Sequence, residues 1–170
     1  MSMVSKKRPL ICIILLGAGI FILLNSGIEA KQREENLLSM GKEFTEKINW
    51  FNYNEGLEKA FKEKKHIMIL FYADWCYYCK MMDNKTFANL SIIESLKEGF
   101  VPIKVNADRE RKLVSRYKIT GFPSTLFLEH NAVPIQLFPG YMPPDMFIKA
   151  LKYIKENNYN TMKYKEYINK

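Results

Sequence analysis

Phe71-Tyr72-Ala73-Asp74-Trp75-Cys76-Tyr77-Tyr78-Cys79-Lys80 decides the reading of this chain. The apolar run His66 to Tyr72 leads into it and has the length and composition of a buried strand. Two cysteines spaced two residues apart then fall at the start of a helix. The pattern predicts that helix over Cys76 to about Thr86, with Met82 on its inward face. Both sulfurs face the same helix end there and can close into a reversible disulfide. Cys76 lies nearest the unpaired backbone N–H groups of the first turn, which favour a thiolate. Cys79, one turn further in, reads as the buried resolving thiol.

Composition narrows the class. With 170 residues, 48% of them hydrophobic, the chain can build one domain with a sizeable core plus additional segments. Three cysteines are too few for a disulfide-stapled scaffold. The third, Cys12, sits in an apolar N-terminal stretch and reads as a passive small hydrophobe. A structural zinc site needs four ligands. No second cysteine pair exists, and His66 and His130 are not at ligand spacing, so no metal and no cofactor are expected. His66 reads as a strand-edge residue and His130 as a turn residue. The net charge of +8 is dispersed, with some concentration in the Lys-, Asn- and Tyr-rich tail after Leu151. That is a solvated basic surface and not a nucleic-acid stripe.

Lys6, Lys7 and Arg8 precede an unbroken apolar run from Leu10 to Leu24. A basic start followed by a short apolar stretch is a secretory signal pattern. Ile28-Glu29-Ala30 is a poor cleavage site, and continuation through Ile28 would approach the length of a membrane span. Residues 1–30 are therefore read as a cleaved signal peptide or an uncleaved anchor, with a possible tether over residues 9–28. Either option places the remainder outside the cytoplasm.

Residues 31–49 read as a polar helical linker with apolar positions at Leu37, Met40, Phe44 and Ile48. A helix capped by Asn54 follows, with Leu57, Ala60 and Phe61 on one face. After the motif helix come a helix over Ser91 to Glu98, a strand over Val101 to Asn106 and a helix over Arg109 to Tyr117. Leu113, Val114 and Tyr117 align on that last helix. Ser124 to Leu128 and Val133 to Phe138 read as a hairpin, and Pro143-Pro144 opens a final helix. Strands joined through helices imply parallel pairing, and the hairpin adds antiparallel strands. The expected fold class is α/β, a mixed central sheet flanked by helices over residues 50–155. A basic tail, residues 156–170, is expected to fray.

These residues resemble the thioredoxin superfamily over about residues 50–155. They are most similar to the secreted branch that includes the C-terminal domain of the bacterial transmembrane thiol:disulfide interchange reductase. Four stretches carry the resemblance: Phe71 to Lys80, Thr86-Phe87, Val101-Pro102-Ile103-Lys104-Val105-Asn106-Ala107-Asp108, and Tyr117-Lys118-Ile119-Thr120-Gly121-Phe122-Pro123-Ser124. Gly140 falls where the family places a glycine after its last strand. The resemblance implies a thioredoxin fold, makes Val101 to Asp108 a central strand and makes Pro123 a cis-proline. It leaves the Phe122 backbone free to pair with an extended substrate.

The chain also departs from the family. Leu70 stands where many relatives carry a buried acid that moves the proton of the resolving thiol. Asp83 matches a second acidic position of the secreted reductase and reads either as a substitute proton shuttle or as a surface Asp. Lys104 matches a lysine beneath the family's active site, the alternative being an edge-strand Lys facing water. Tyr77 and Tyr78 replace the dipeptides of thioredoxins and of strong oxidants. They bring no charge to favour the thiolate, and their rings offer an apolar surface for a partner.

The resulting expectation is an extracytoplasmic, secreted or anchored thiol:disulfide oxidoreductase. Cys76 attacks a partner-protein disulfide and Cys79 resolves the mixed disulfide. Trp75 shields the site, and Phe122-Pro123 docks the partner. Electron flow is expected in the reducing direction, supplied by a membrane donor. The alternatives are an oxidase or isomerase using the same residues, and a binding or chaperone module with an incidental dithiol.

Overall fold

In the computed structural model, residues 31–34 and 47–170 are described. Residues 31–34 are helical. The signal or anchor segment, Cys12 and most of the expected linker lie outside the described residues.

Strand β1 (His66–Tyr72) is the axis of the sheet, with Ile67 to Phe71 all buried. Its apolar run has no alternation because both faces are covered. β1 pairs in parallel with β2 (Phe100–Asn106), from His66 opposite Phe100 to Tyr72 opposite Asn106. On its other edge it pairs antiparallel with β3 (Ser124–Leu128), which in turn pairs antiparallel with β4 (Pro134–Pro139). The order is β2-β1-β3-β4, a four-stranded mixed sheet. The strand expectations for β1 and β3 match to the residue, and the thioredoxin fold is what forms.

Among the described residues from Tyr53 onward, six α-helices flank or follow these strands. They are α1 (Tyr53–Glu63), α2 (Tyr77–Lys85), α3 (Leu90–Gly99), α4 (Arg111–Arg116), α5 (Pro144–Lys155) and α6 (Tyr164–Tyr167). Odd-numbered β1 residues Ile67, Ile69 and Phe71 pack with Ala60 of α1 and Leu113 of α4. Even-numbered Met68 and Leu70 pack with Met82 of α2, Ile92 and Leu96 of α3 and Phe147 and Leu151 of α5. The alternation of side chains along a strand divides the core into these two layers.

Four expectations change. β2 is an edge strand and not a central one: no further strand flanks it among the described residues. A single bridge from Phe51 takes that place, with Phe51 N–H donating to Pro102 O (2.9 Å) and Lys104 N–H donating to Phe51 O (3.1 Å). The cap of α1 is Asn52 and not Asn54, its side-chain oxygen accepting from Glu55 N–H at 3.0 Å. Asn54 lies inside the helix, and both are good capping types. Phe61 is exposed, because α1 approaches the sheet through Gly56 and Ala60, the buried positions of that helix.

The tail does not fray. A 3₁₀ turn (Asn158–Asn160) and α6 fold back on α5. The Tyr153 hydroxyl donates to Met162 O at 2.7 Å. Tyr164 meets Phe138 edge-on with ring centroids 4.7 Å apart, and Tyr167 packs on Tyr153. Tyr159 reaches His66 at the start of β1, 3.3 Å from its Nε2. Scattered tyrosines supply apolar area that periodicity does not reveal.

A Cβ at Gly56 would collide with the Ile103 side chain. Gly56→Ala is expected to lower stability by about 1–3 kcal/mol through overpacking, read by chemical denaturation. Half-burial holds the His66 imidazole below its ordinary value near 6.5, against the opposing pull of Glu129. The unfolded chain therefore binds a proton first as pH falls. Stability should decline on acidification from about pH 6.5, and His66→Gln should flatten that decline in thermal melts taken at successive pH values.

Candidate active site

Backbone order around Cys76 follows from β1. The strand ends at Tyr72, whose carbonyl accepts from Ala107 N–H at 2.8 Å, so the chain leaves the sheet beside the end of β2. Four side chains then fix the loop. Asn106 donates from Nδ2 to Asp74 Oδ2 (3.1 Å) and accepts Asp108 N–H on Oδ1 (3.0 Å), while Trp75 Nε1 donates to Asp108 Oδ2 (3.1 Å). Asp74, Asn106 and Asp108 were not singled out from sequence as site residues. Asn106 and Asp108 lie in the stretch that carries the resemblance, but their pairing with the loop depends on the β1–β2 register.

Cys76 is the N-cap of α2, and its Sγ accepts the Cys79 N–H at 3.1 Å. Cys76 and Cys79 are joined by a disulfide, with Cα atoms 5.3 Å apart. Both are buried, in a cluster with Ala73 against which Tyr72 and Phe122 pack. The sulfur therefore occupies the place a capping oxygen would take, where orphan N–H groups and the helix dipole favour negative charge.

The Phe122–Pro123 peptide is cis, as the Gly-x-Pro context predicts. Pro123 O accepts Gly140 N–H at 2.7 Å, and Gly140 has a φ of 86°, open to glycine at little strain. Ser124 Oγ donates to Gly121 O at 2.7 Å, closing the other side of this turn. β3 begins at Ser124, so the Phe122 backbone stands outside the sheet ladder. Its ring meets Trp75 edge-on at 6.1 Å. Trp75, Tyr77 and Tyr78 are all more than half exposed, and the two tyrosine rings contact each other at 5.5 Å. Two aromatic pairs, Trp75–Phe122 and Tyr77–Tyr78, thus stand around the dithiol motif.

Asp83 and Lys104 come together. Lys104 Nζ lies 2.8 and 2.9 Å from the two Asp83 carboxylate oxygens. The same ammonium stands over the Tyr72 ring at 4.8 Å and the Trp50 ring at 5.4 Å. Lys104 is therefore not a lysine pointing freely into water from an edge strand, and Asp83 is not an unpaired surface carboxylate. Trp50 lies between the expected linker, residues 31–49, and the helix expected from Asn54, where no sequence pattern marked it. Leu70, at the position of the family's acid, is 1% exposed in the α2-side core. Among the described residues no group of three or more His, Cys, Asp or Glu side chains could hold a metal ion.

The thioredoxin-like domain model matches residues 53–155. The chain belongs to that family. It is 35% identical over 94 residues to protein disulfide isomerase-like 5-2 of Oryza sativa, covering 55% of this chain and 22% of that protein. It is 33% identical over 80 residues to the thiol:disulfide interchange protein DsbD of a Pseudomonas species, covering 45% of this chain and 14% of that protein. The chain thus spans a minor part of the length of these relatives. A solved thioredoxin from Thermus thermophilus superposes with a TM-score of 0.59 at 26% identity, covering 63% of this chain and 86% of that one.

Position at the helix terminus distinguishes the two thiols once the disulfide is reduced. Cys76 is expected to alkylate first, with a midpoint below the free-thiol value of about 8.5, and Cys79 above it. Iodoacetamide labelling across a pH series with peptide mapping reads both.

Proposed function

We propose that this protein is an extracytoplasmic thiol:disulfide oxidoreductase that reduces disulfides in partner proteins. The observation that carries the reading is Cys76 capping α2 beside the cis Phe122–Pro123 peptide, in a chain of the thioredoxin-like domain family. In the reduced form, the Cys76 thiolate attacks a sulfur of the partner disulfide and one partner thiol departs. Cys79 then attacks Cys76 Sγ, releasing the second partner thiol and leaving Cys76–Cys79 oxidised. The exposed rings of Trp75, Tyr77 and Tyr78, with the partly buried Phe122 beside them, supply the apolar docking face. The Phe122 backbone pairs with an extended partner segment. Lys104 holds the carboxylate of Asp83 on α2, where it serves as proton acceptor.

The reducing direction rests on the Tyr77-Tyr78 dipeptide, which brings no cation to stabilise the thiolate. An electron donor must then act on the oxidised pair, and a membrane reductant suits a chain whose residues 1–30 carry a basic-then-apolar signal or anchor pattern. Residues 50–155 form the working domain, 31–49 its linker and 156–170 a C-terminal extension. The protein disulfide isomerase-like relatives favour a second reading, an oxidase or isomerase running the same residues in reverse.

Cys79→Ser should accumulate mixed disulfides with partner proteins, and Cys76→Ser should abolish both trapping and turnover, as seen on non-reducing gels. Equilibration with glutathione and dithiothreitol decides direction. A potential near about −270 mV supports the reductase, and one near about −120 mV overturns it in favour of an oxidant.

A further inference from the structure

Thr125 Oγ1 is a buried side-chain oxygen with no hydrogen-bond partner, and the residue is 0% exposed. A buried hydroxyl left unpaired is destabilising and calls for an explanation. Its place in the sheet supplies one. Thr125 stands directly opposite Leu70 in the β1–β3 pairing, and Leu70 stands opposite Lys104 in the β1–β2 pairing. Directly paired residues share a face. Lys104, Leu70 and Thr125 therefore form one row across the sheet on the side covered by α2. Met82 of α2 packs with Leu70, and Asp83 of α2 bonds Lys104. Cys79 lies one turn before Asp83 on the same helix and is 2% exposed. Leu70 brings only methyl groups to this row, and the Lys104 ammonium is engaged by Asp83. The Thr125 hydroxyl is the donor of the row that remains unused while the disulfide is closed.

We propose that Thr125 is a positioning residue for the resolving thiol: its hydroxyl donates to Cys79 Sγ when the dithiol is reduced. The inference rests on the oxidoreductase reading of the Cys76–Cys79 pair. Neither sulfur of the closed disulfide accepts a bond from this hydroxyl; opening the disulfide frees the Cys79 side chain to turn toward it, and a thiolate is a strong acceptor. Stabilised in this way, Cys79 ionises more readily and attacks Cys76 Sγ in the mixed disulfide. The bond between Cys76 and the partner sulfur breaks as the Cys76–Cys79 bond forms. The partner leaves as a thiolate and takes up the proton that Cys79 released, so no outside oxidant or reductant enters the step.

The test uses the full chain carrying Cys76→Ser, in which Cys79 is titrated by iodoacetamide alkylation and peptide mapping. Thr125→Val keeps the shape and removes the hydroxyl, Thr125→Ala removes it with less risk of misfit, and Thr125→Ser retains it. The two hydroxyl-free variants should raise the Cys79 midpoint by about one pH unit, with Thr125→Ser close to the parent. With Cys76 restored, the hydroxyl-free variants should shift the glutathione equilibrium toward the disulfide, approaching about tenfold only at a pH above the Cys79 midpoint. A Cys79 midpoint unchanged in both hydroxyl-free variants would overturn the proposal, whatever their melting temperatures. This readout needs neither partner nor turnover. Failure of the parent Cys79→Ser protein to trap partners would instead sink the oxidoreductase reading and leave the Thr125 titration standing.

Discussion

Burial of β1 on both faces and hydrogen bonding along both its edges is the constraint on which the site depends. A strand held this way has one register, because a slip by one residue would exchange its two core layers. Its C-terminal end is therefore a fixed point, and Cys76 follows four residues beyond it. β3 is locked to the same strand, so the cis Phe122–Pro123 peptide immediately before it is fixed relative to the dithiol. Two segments distant in sequence meet because each continues a strand of one ladder.

The chemistry of the site comes from what surrounds two sulfurs. A helix start supplies N–H groups to Cys76. An aromatic border leaves a face that a partner can cover. Beneath α2, the family's single buried acid is replaced by a divided arrangement. Leu70 fills the acid's position, Asp83 approaches from the helix, and Lys104 from β2 neutralises it. A carboxylate with more than a third of its side chain exposed and paired with an ammonium is less desolvated than one buried in a core. Under the proposed function, proton handling thereby moves from the middle of the sheet toward its edge.

Much of the fold was legible because strong local signals agreed. His66 to Tyr72 and Ser124 to Leu128 are apolar runs bounded by clear breaks, and both form as read. The cysteine spacing, the Gly-x-Pro turn and Pro143-Pro144 each act through one or two residues. The misreadings fell where local signals were matched or weak. Asn52 and Asn54 are equal as caps, and only the turn geometry chooses between them. Phe61 fits the apolar stripe of α1, yet the close approach of Gly56 to Ile103 rotates it into solvent. The tail has few aliphatic residues, but Tyr159, Tyr164 and Tyr167 find His66, Phe138 and Tyr153 across the molecule.

The sequence by itself determined the element types, the mixed sheet, the position of the dithiol at a helix start and the cis-proline turn. The element types, the dithiol position and the proline turn depend on residues within about one turn or one strand of each other, and the mixed sheet on the order in which those elements follow along the chain. Tertiary structure alone decided that Lys104 holds Asp83, that Trp75 is tied to Asp108, that Phe51 covers the edge of β2, and that Thr125 lies beside Leu70. Those pairings span 21, 33, 52 and 55 positions of the chain respectively. No local periodicity encodes them, because they follow from strand register and from the angle at which α2 crosses the sheet.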